Sequence, residues 1–294
     1  MCYEGTQSFC AHYPSCKAYR IMKIGLIVHP YNEAQAAGLG RAIFSLTKHL
    51  IEGDAHNHYT VFVKGNHGQK PDIAGKNWNY VELPDHLFWL DFGLQSAQPH
   101  DVYMFFTPVM PFFLTPKKSL VVVHDLSYRH IQPDSLAGRL KNMLIAFIHA
   151  WALKRATRVV AISEATKKEI VRYHDLQQEN IATIYNGFEA RCTNESSGIQ
   201  REKSFLFVGV MKQRKNVLGL VEAYAQYYQE RKRLGESIWK LVVVGKGSGP
   251  YYESILSVIR RHNLEAYVDL RGYVTDEELE PLYRRAGVFV FPSL

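Results

Sequence analysis

A chain of 294 residues, 47% hydrophobic and 21% charged with both signs interspersed, is neither disordered nor fibrous, and its length suits two domains better than one. Its formal net charge of +7 favours anionic partners such as phosphates, nucleic acid or acidic lipid headgroups. No apolar run approaches the roughly 20 residues that span a bilayer, and Met143 to Leu153, the longest candidate, has the length of a buried helix, so a soluble protein is expected.

Residues 1–21 lack the apolar core of a signal peptide, and Met22, opening MKIGLIVHP, is the natural start. The leader therefore reads as a tail or an upstream-start artefact outside the domains, with a functional arm as the alternative. Cys2, Cys10 and Cys16 lie within it and Cys192 stands alone, which is neither a disulfide framework nor a zinc spacing. A reducing, cytoplasmic setting fits that usage.

Short β-branched runs then recur: IGLIV at 24–28, YTVFV at 59–63, VYMFF at 102–106, LVVV at 120–123 and RVVAIS at 158–163. Buried strands alternating with helices predict a parallel sheet covered on both faces. Ile43, Phe44, Leu50 and Ile51 place an apolar stripe on a helix after Gly40, and Leu140, Leu144, Phe147, Ile148 and Trp151 do the same after Gly138. Asn186-Gly187 and the polar stretch from Arg191 to Lys203 read as a turn and an interdomain linker, with the boundary near residue 197.

A second alternating series begins with FLFVGV at 205–210. A helix carrying Val217, Leu220, Val221, Tyr224 and Tyr228 on one face follows, then LVVVG at 241–245 and a helix using Tyr252, Ile255, Leu256 and Ile259. After the strand VDLRG at 268–272, Pro281 suits a first helical turn, so a helix from about Glu280 to Gly287 is predicted, and VFVFPSL is read as a strand running to Leu294. The fold class is α/β, with two Rossmann-like domains, 22–197 and 198–294, expected to face a cleft and the second expected to be incomplete.

Four segments carry candidate chemistry. In AAGLGR at 36–41, Gly38 and Gly40 permit close backbone approach where a helix N-terminus points its amides, although a plain glycine turn explains them too. His124 and Asp125 follow a run of Val, so they project from a strand's carboxyl end; a His there can bond a sugar hydroxyl or move a proton, or be a structural His capped by Asp. In FVGVMKQRKNVLGL, Gly209 and the cations Lys212, Arg214 and Lys215 precede a helix, an arrangement suited to a diphosphate, against which stands a solvated basic loop. Gly245, Gly247 and Gly249 resemble a dinucleotide fingerprint, with Asp269 downstream, but Pro250 interrupts it and a strand-to-helix turn uses glycines equally.

In that order, AGLGR at 37–41, HDLSY at 124–128, AISEATKKEI at 161–170, IYNGF at 184–188, FVGVMKQRKN at 207–216, VVVGKGSG at 242–249 and RGYVTDEELEPLYRRAGVFVFPSL at 271–294 resemble the family 4 retaining glycosyltransferases of the GT-B fold. The HDL and RKN wording is most similar to mannosyltransferase-like members. The resemblance implies transfer of a hexose from a nucleotide-sugar co-substrate, GDP-mannose being the guess, to a glycan or lipid-linked acceptor, with retention and without a bound metal or other cofactor. It implies that Gly38 and Gly40 approach the donor phosphate or acceptor, that His124 contacts the transferred sugar, and that Lys215, helped by Arg214, neutralises the leaving diphosphate. Gly272, Tyr273 and Val274 would line a nucleobase slot. Ala37 and Val210 depart from the family pattern. Its acidic donor motif would begin after Leu294, so a C-terminal truncation of about three βα units is expected.

Two readings from other classes remain. One is a non-catalytic remnant or binding module, which a downstream reading frame with an acidic, glycine-rich motif would turn into a split enzyme; the other is an NAD-dependent oxidoreductase. Nucleic acid is not an expected partner, because the basic residues are dispersed with no aromatic-interleaved strip. Peripheral membrane contact is an expectation, since Lys154, Arg155 and Arg158 end an amphipathic helix, although a helix packed in the core explains the same pattern.

Overall fold

The computed structural model describes residues 20–29, 38–65, 70–86, 88–130, 135–188 and 200–293. All four cysteines, Ala37, the proposed boundary at residue 197 and most of the leader and linker lie outside these residues. The chain divides into two compact units, Met1–Phe188 and Glu189–Leu294.

The first unit holds a seven-stranded, wholly parallel sheet in the order β3-β2-β1-β4-β5-β6-β7. Its strands are β1 Lys23–Val28, β2 His58–Lys64, β3 Trp78–Leu83, β4 Val102–Phe105, β5 Ser119–Val123, β6 Arg158–Ala161 and β7 Ile181–Thr183, and its helices are α1 Gly38–Glu52, α2 Trp89–Ser96, α3 Leu136–Arg155 and α4 Glu164–His174. The chain winds outward from β1 in one direction and then, from β4, in the other, so a topological switch point lies between β1 and β4.

The period of two along each strand sorts the core into two layers. Leu26, Val28, Val61, Val63, Val122 and Val160 pack with Ile43 and Ile51 of α1. Ile27, Phe62, Phe105, Val121, Val123 and Val159 face the other way, onto Leu90 and Leu94 of α2, Leu153 of α3 and Ile170 of α4. Each fully buried Val, Leu or Phe contributes about 1.5–3 kcal/mol relative to exposure.

The residues of the expected α3 stripe divide between two environments, with Ile148 and Trp151 half-buried and the other three exposed. Leu140, Leu144 and Phe147 are exposed, while Ala152 and Leu153 are buried and Ile145 and Ile148 half-buried. The helix carries apolar residues on two sides, and the side with Ala152 and Leu153 packs with the strands of the sheet.

The second unit has a parallel sheet in the order β10-β9-β8-β11, formed by β8 Ser204–Val208, β9 Lys240–Val244, β10 Val268–Gly272 and β11 Val288–Phe289. Phe207, Leu241 and Val243 meet Val221 and Tyr224 of α5 (Val217–Leu234) and Ile255 and Ile259 of α6 (Gly249–Arg261) on one face. Leu206 and Val244 meet Ala286 and the half-buried Leu279 and Leu282 of α7 (Asp276–Arg285) on the other.

Two sequence expectations are corrected here. The last helix begins at Asp276, not near Glu280, because Thr275 and Glu278 form a capping box and Pro281 is tolerated inside. β11 covers only Val288–Phe289, although the Val290 amide still donates to the Leu206 carbonyl at 2.8 Å, before Pro292, which has no N–H to give.

Candidate functional site

In parallel sheets ligands bind beyond the carboxyl ends of the strands, at the switch point. In the first unit those ends carry His29 after β1, Phe106 and Thr107 after β4, and His124 after β5. The Thr107 hydroxyl donates to the His29 carbonyl at 3.3 Å, tying β1 to β4 across the switch. The His29 and Trp89 ring centroids are 5.3 Å apart.

His124 Nε2 lies 3.0 Å from the Phe106 carbonyl. A carbonyl only accepts, so Nε2 bears the proton and Nδ1 presents a lone pair. Burial pushes the His124 pKa down, outweighing the Phe106 bond and Asp125. The ring is therefore a neutral acceptor near pH 7, fit to receive a hydrogen bond from a hydroxyl. Asp125 is exposed, and its Oδ1 accepts from the Ser127 amide at 3.0 Å, shaping the turn that leads to the short 3-10 helix Ser127–Arg129.

Gly38 and Gly40 lie within the first turn of α1, which starts at Gly38 and not after Gly40. No acidic side chain occupies that turn, and among the described residues a Cβ on Gly38 would meet nothing within 4 Å.

In the second unit the switch point falls between β8 and β11. Gly209, Gly245 and Gly272 sit side by side at the carboxyl ends of β8, β9 and β10. The Gly209 amide donates to Val244 O at 2.8 Å and the Gly245 amide to Gly272 O at 2.6 Å. Gly245 has φ of 142°, and a Cβ there would collide with the Gly209 carbonyl oxygen. A Cβ on Gly247 would meet the Tyr252 ring and Met211 Sδ. Close packing of chain segments thus accounts for two of the three glycines of the dinucleotide-like pattern.

Beyond β8 the chain makes one 3-10 turn, Gln213–Lys215, and Asn216 takes φ of 52° before α5 begins. Asn tolerates this left-handed conformation better than most residues. Arg214 and Lys215 are thereby held just ahead of the helix N-terminus. Lys215 Nζ sits 4.3 Å from the centroid of the Phe291 ring, which stacks on Phe207 at 6.3 Å. Desolvation, then the charge of Arg214, lowers the Lys215 pKa, so the cation is held at a cost that an incoming anion would relieve.

Tyr273 is exposed, with Lys246 Nζ 5.3 Å from its ring centroid. Val274 packs with Leu206, Val244 and Ala286. Both also line a cavity of about 710 Å³ beside α7, whose walls include Arg271, Glu202 and Arg285 but neither Lys215 nor any of the three glycines. Among the described residues no cluster of three or more His, Cys, Asp or Glu could hold a metal ion.

Sequence reasoning singled out Lys215, Arg214, His124, Gly209, Gly245 and Gly272 as candidates. It missed Phe291, Thr107 and the Phe106 carbonyl, which come near these residues only through strand order.

Two family models match consecutive parts of the chain, Glycosyltransferase Family 4 over residues 36–191 and Glycosyl transferases group 1 over residues 202–294. Among curated relatives, the serotype-specific mannosyltransferase WbdA of Escherichia coli is 23% identical over 230 residues, covering 69% of this chain and 27% of that protein. The O-antigen chain mannosyltransferase RfbU of Salmonella typhimurium is 25% identical over 181 residues, covering 60% of this chain and 46% of its own length. The chain thus matches less than half the length of either. Among solved structures, Anabaena HepE, in complex with UDP and glucose, superposes with a TM-score of 0.64 at 16% identity, over 92% of this chain and 74% of its own. The fold is that of the GT-B glycosyltransferases, and with the family 4 model matching more than half of its residues, the chain belongs to glycosyltransferase family 4.

Proposed function

We propose that the chain serves the transfer of a hexose, mannose in our reading, from a nucleoside-diphosphate sugar to a glycan or lipid-linked acceptor, with retention of configuration, in the cytoplasm. In this reading the domain ending near residue 197 takes the acceptor and the one after it takes the donor. The observation that carries it is Lys215, held over Phe291 at the switch point of the second sheet beside a row of strand-end glycines. A departing diphosphate needs fixed positive charge aimed at its developing anion, and Lys215, Arg214 and the amides of α5 supply it without reorganising.

Gly272, where a Cβ would meet nothing within 4 Å among the described residues, leaves room for a flat group to lie against the backbone at the end of β10. His124, neutral and presenting Nδ1, would accept a bond from a sugar hydroxyl. Mannose is favoured because WbdA and RfbU are mannosyltransferases; the UDP and glucose held by HepE make the uridine donor the competitor to test. The purified chain is incubated with a mannose-containing oligosaccharide acceptor and GDP-mannose or, separately, UDP-glucose, and the one-bond C1–H1 coupling at the product's new anomeric centre is read by NMR. Release of one diphosphate with a retained anomeric coupling supports the reading. Inversion, or turnover unaffected by Lys215→Ala, contradicts it.

A further inference from the structure

We propose that the outward face of α3 is a docking surface for an anionic lipid bilayer. Leu136, Leu140, Met143, Leu144 and Phe147 recur at helical spacing along one side of the helix, opposite the side packed on the sheet. Together with Phe113 they are between 57% and 77% exposed. The strip continues through aromatic contacts: Phe147 stacks on Trp151 at 6.5 Å and Trp151 meets Phe112 at 5.7 Å, next to Phe113. Large apolar side chains clustered on this scale mark a surface that something covers.

The charge pattern says what. None of the twenty residues of α3 is acidic, whereas Arg139, Lys141, Lys154 and Arg155 are basic, and Lys117 and Lys118 are exposed shortly after Phe113. An apolar face with cations at its flanks lies in the plane of a bilayer, the side chains entering the acyl boundary while the long cationic stems reach the phosphates. No helix among the described residues is long and apolar enough to cross a membrane, so the contact is peripheral. A second copy is a poorer occupant, because a two-fold contact through α3 would set the same cations against themselves. The topology adds a consequence. α3 leaves the carboxyl end of β5, so Leu136 and Leu140 lie toward the edge of the sheet that carries His124. The docking surface stands on these observations alone and does not depend on the sugar-transfer reading.

The test is co-sedimentation of the full chain with vesicles of phosphatidylcholine, with and without about one third phosphatidylglycerol. The chain is expected to bind the anionic vesicles at least about tenfold more tightly. Leu140→Gln combined with Leu144→Gln, with an unchanged far-UV spectrum, should weaken that binding about tenfold or more, since it removes apolar area without adding charge. Lys141→Gln should weaken it by a smaller factor, about two to fivefold. Equal partition to both vesicles, no binding, or binding indifferent to the double substitution overturns the proposal. So does a dimer in light scattering that the double substitution converts to a monomer, which would assign the face to a second copy.

Discussion

Helices α3 and α5 carry the same apolar signature and end in opposite environments. In α5, Val217, Val221, Tyr224 and Tyr228 are buried, and Gln, Glu, Arg and Lys occupy much of the rest. In α3 the most regular apolar stripe faces solvent, while Ile145, Ile148, Ala152 and Leu153 face the domain. Periodicity therefore identifies which residues share a face, and a single stripe on a polar helix identifies the core as well. Two stripes on one helix do not, because the choice between them is made by the neighbouring elements.

The largest effect expected from this difference is on α5. Tyr224→Ala removes a buried ring and the 2.7 Å bond from its hydroxyl to the Trp239 carbonyl. It should destabilise the second unit by about 3–5 kcal/mol in denaturant unfolding. A loss below about 1 kcal/mol would show that the α5 stripe is not the core contact it is taken to be.

A smaller, pH-dependent effect belongs to the inward side of α3, where His149 meets the Tyr128 ring edge-on at 4.9 Å. Burial, then the charges of neighbouring His174 and Arg129, with Asp125 opposing, pushes its pKa down to about 4. The unfolded chain takes up that proton near pH 6.5. Between these values the unfolded state binds more protons, so the stability His149 permits is complete above pH 6.5 and is lost as pH falls toward 4. His149→Phe should flatten the melting temperature over that window, and an unchanged slope would place the titration elsewhere.

The smallest effect is on the outward side. Leu144→Ala should change stability by no more than about 0.5 kcal/mol, since its side chain is already exposed. A loss above about 2 kcal/mol would mean the residue is packed in solution and would erase the contrast with α5.

The central strands were legible because both their faces are covered, so they read as unbroken Val, Ile and Phe. The elements missed in the first sheet, β3 and β7, are its two edges, where Trp78–Leu83 mixes Asn and Glu with aromatics and Ile181–Thr183 is only three residues long. α2 was also missed: Phe88 precedes it in a left-handed conformation and offers no side-chain cap to read. At the start of α7 the signal was present in Thr275 and Glu278 and was overruled by Pro281, whose missing N–H removes only one helical bond.

The candidate site divides along the same line. Lys215 and Arg214 were visible because a basic turn before a helix carries its chemistry locally. Phe291, which fixes Lys215, was not, because only the pairing of β8 with β11 brings it close. Asp125 was singled out for chemistry, and the contact its carboxylate makes is a turn-forming bond to the backbone of Ser127.

The most direct test of the account is calorimetric titration of the folded chain, its Lys215→Ala variant and its His124→Ala variant with guanosine and uridine diphosphates. The bare diphosphate carries the charge that Lys215 answers and lacks the sugar that His124 would touch. Lys215→Ala should weaken the preferred diphosphate by about tenfold or more, the worth of a charge-assisted bond, and His124→Ala by less than about twofold. Equal losses in the two variants, or a folded chain that binds neither diphosphate, would contradict the assignment of a donor-phosphate site to Lys215.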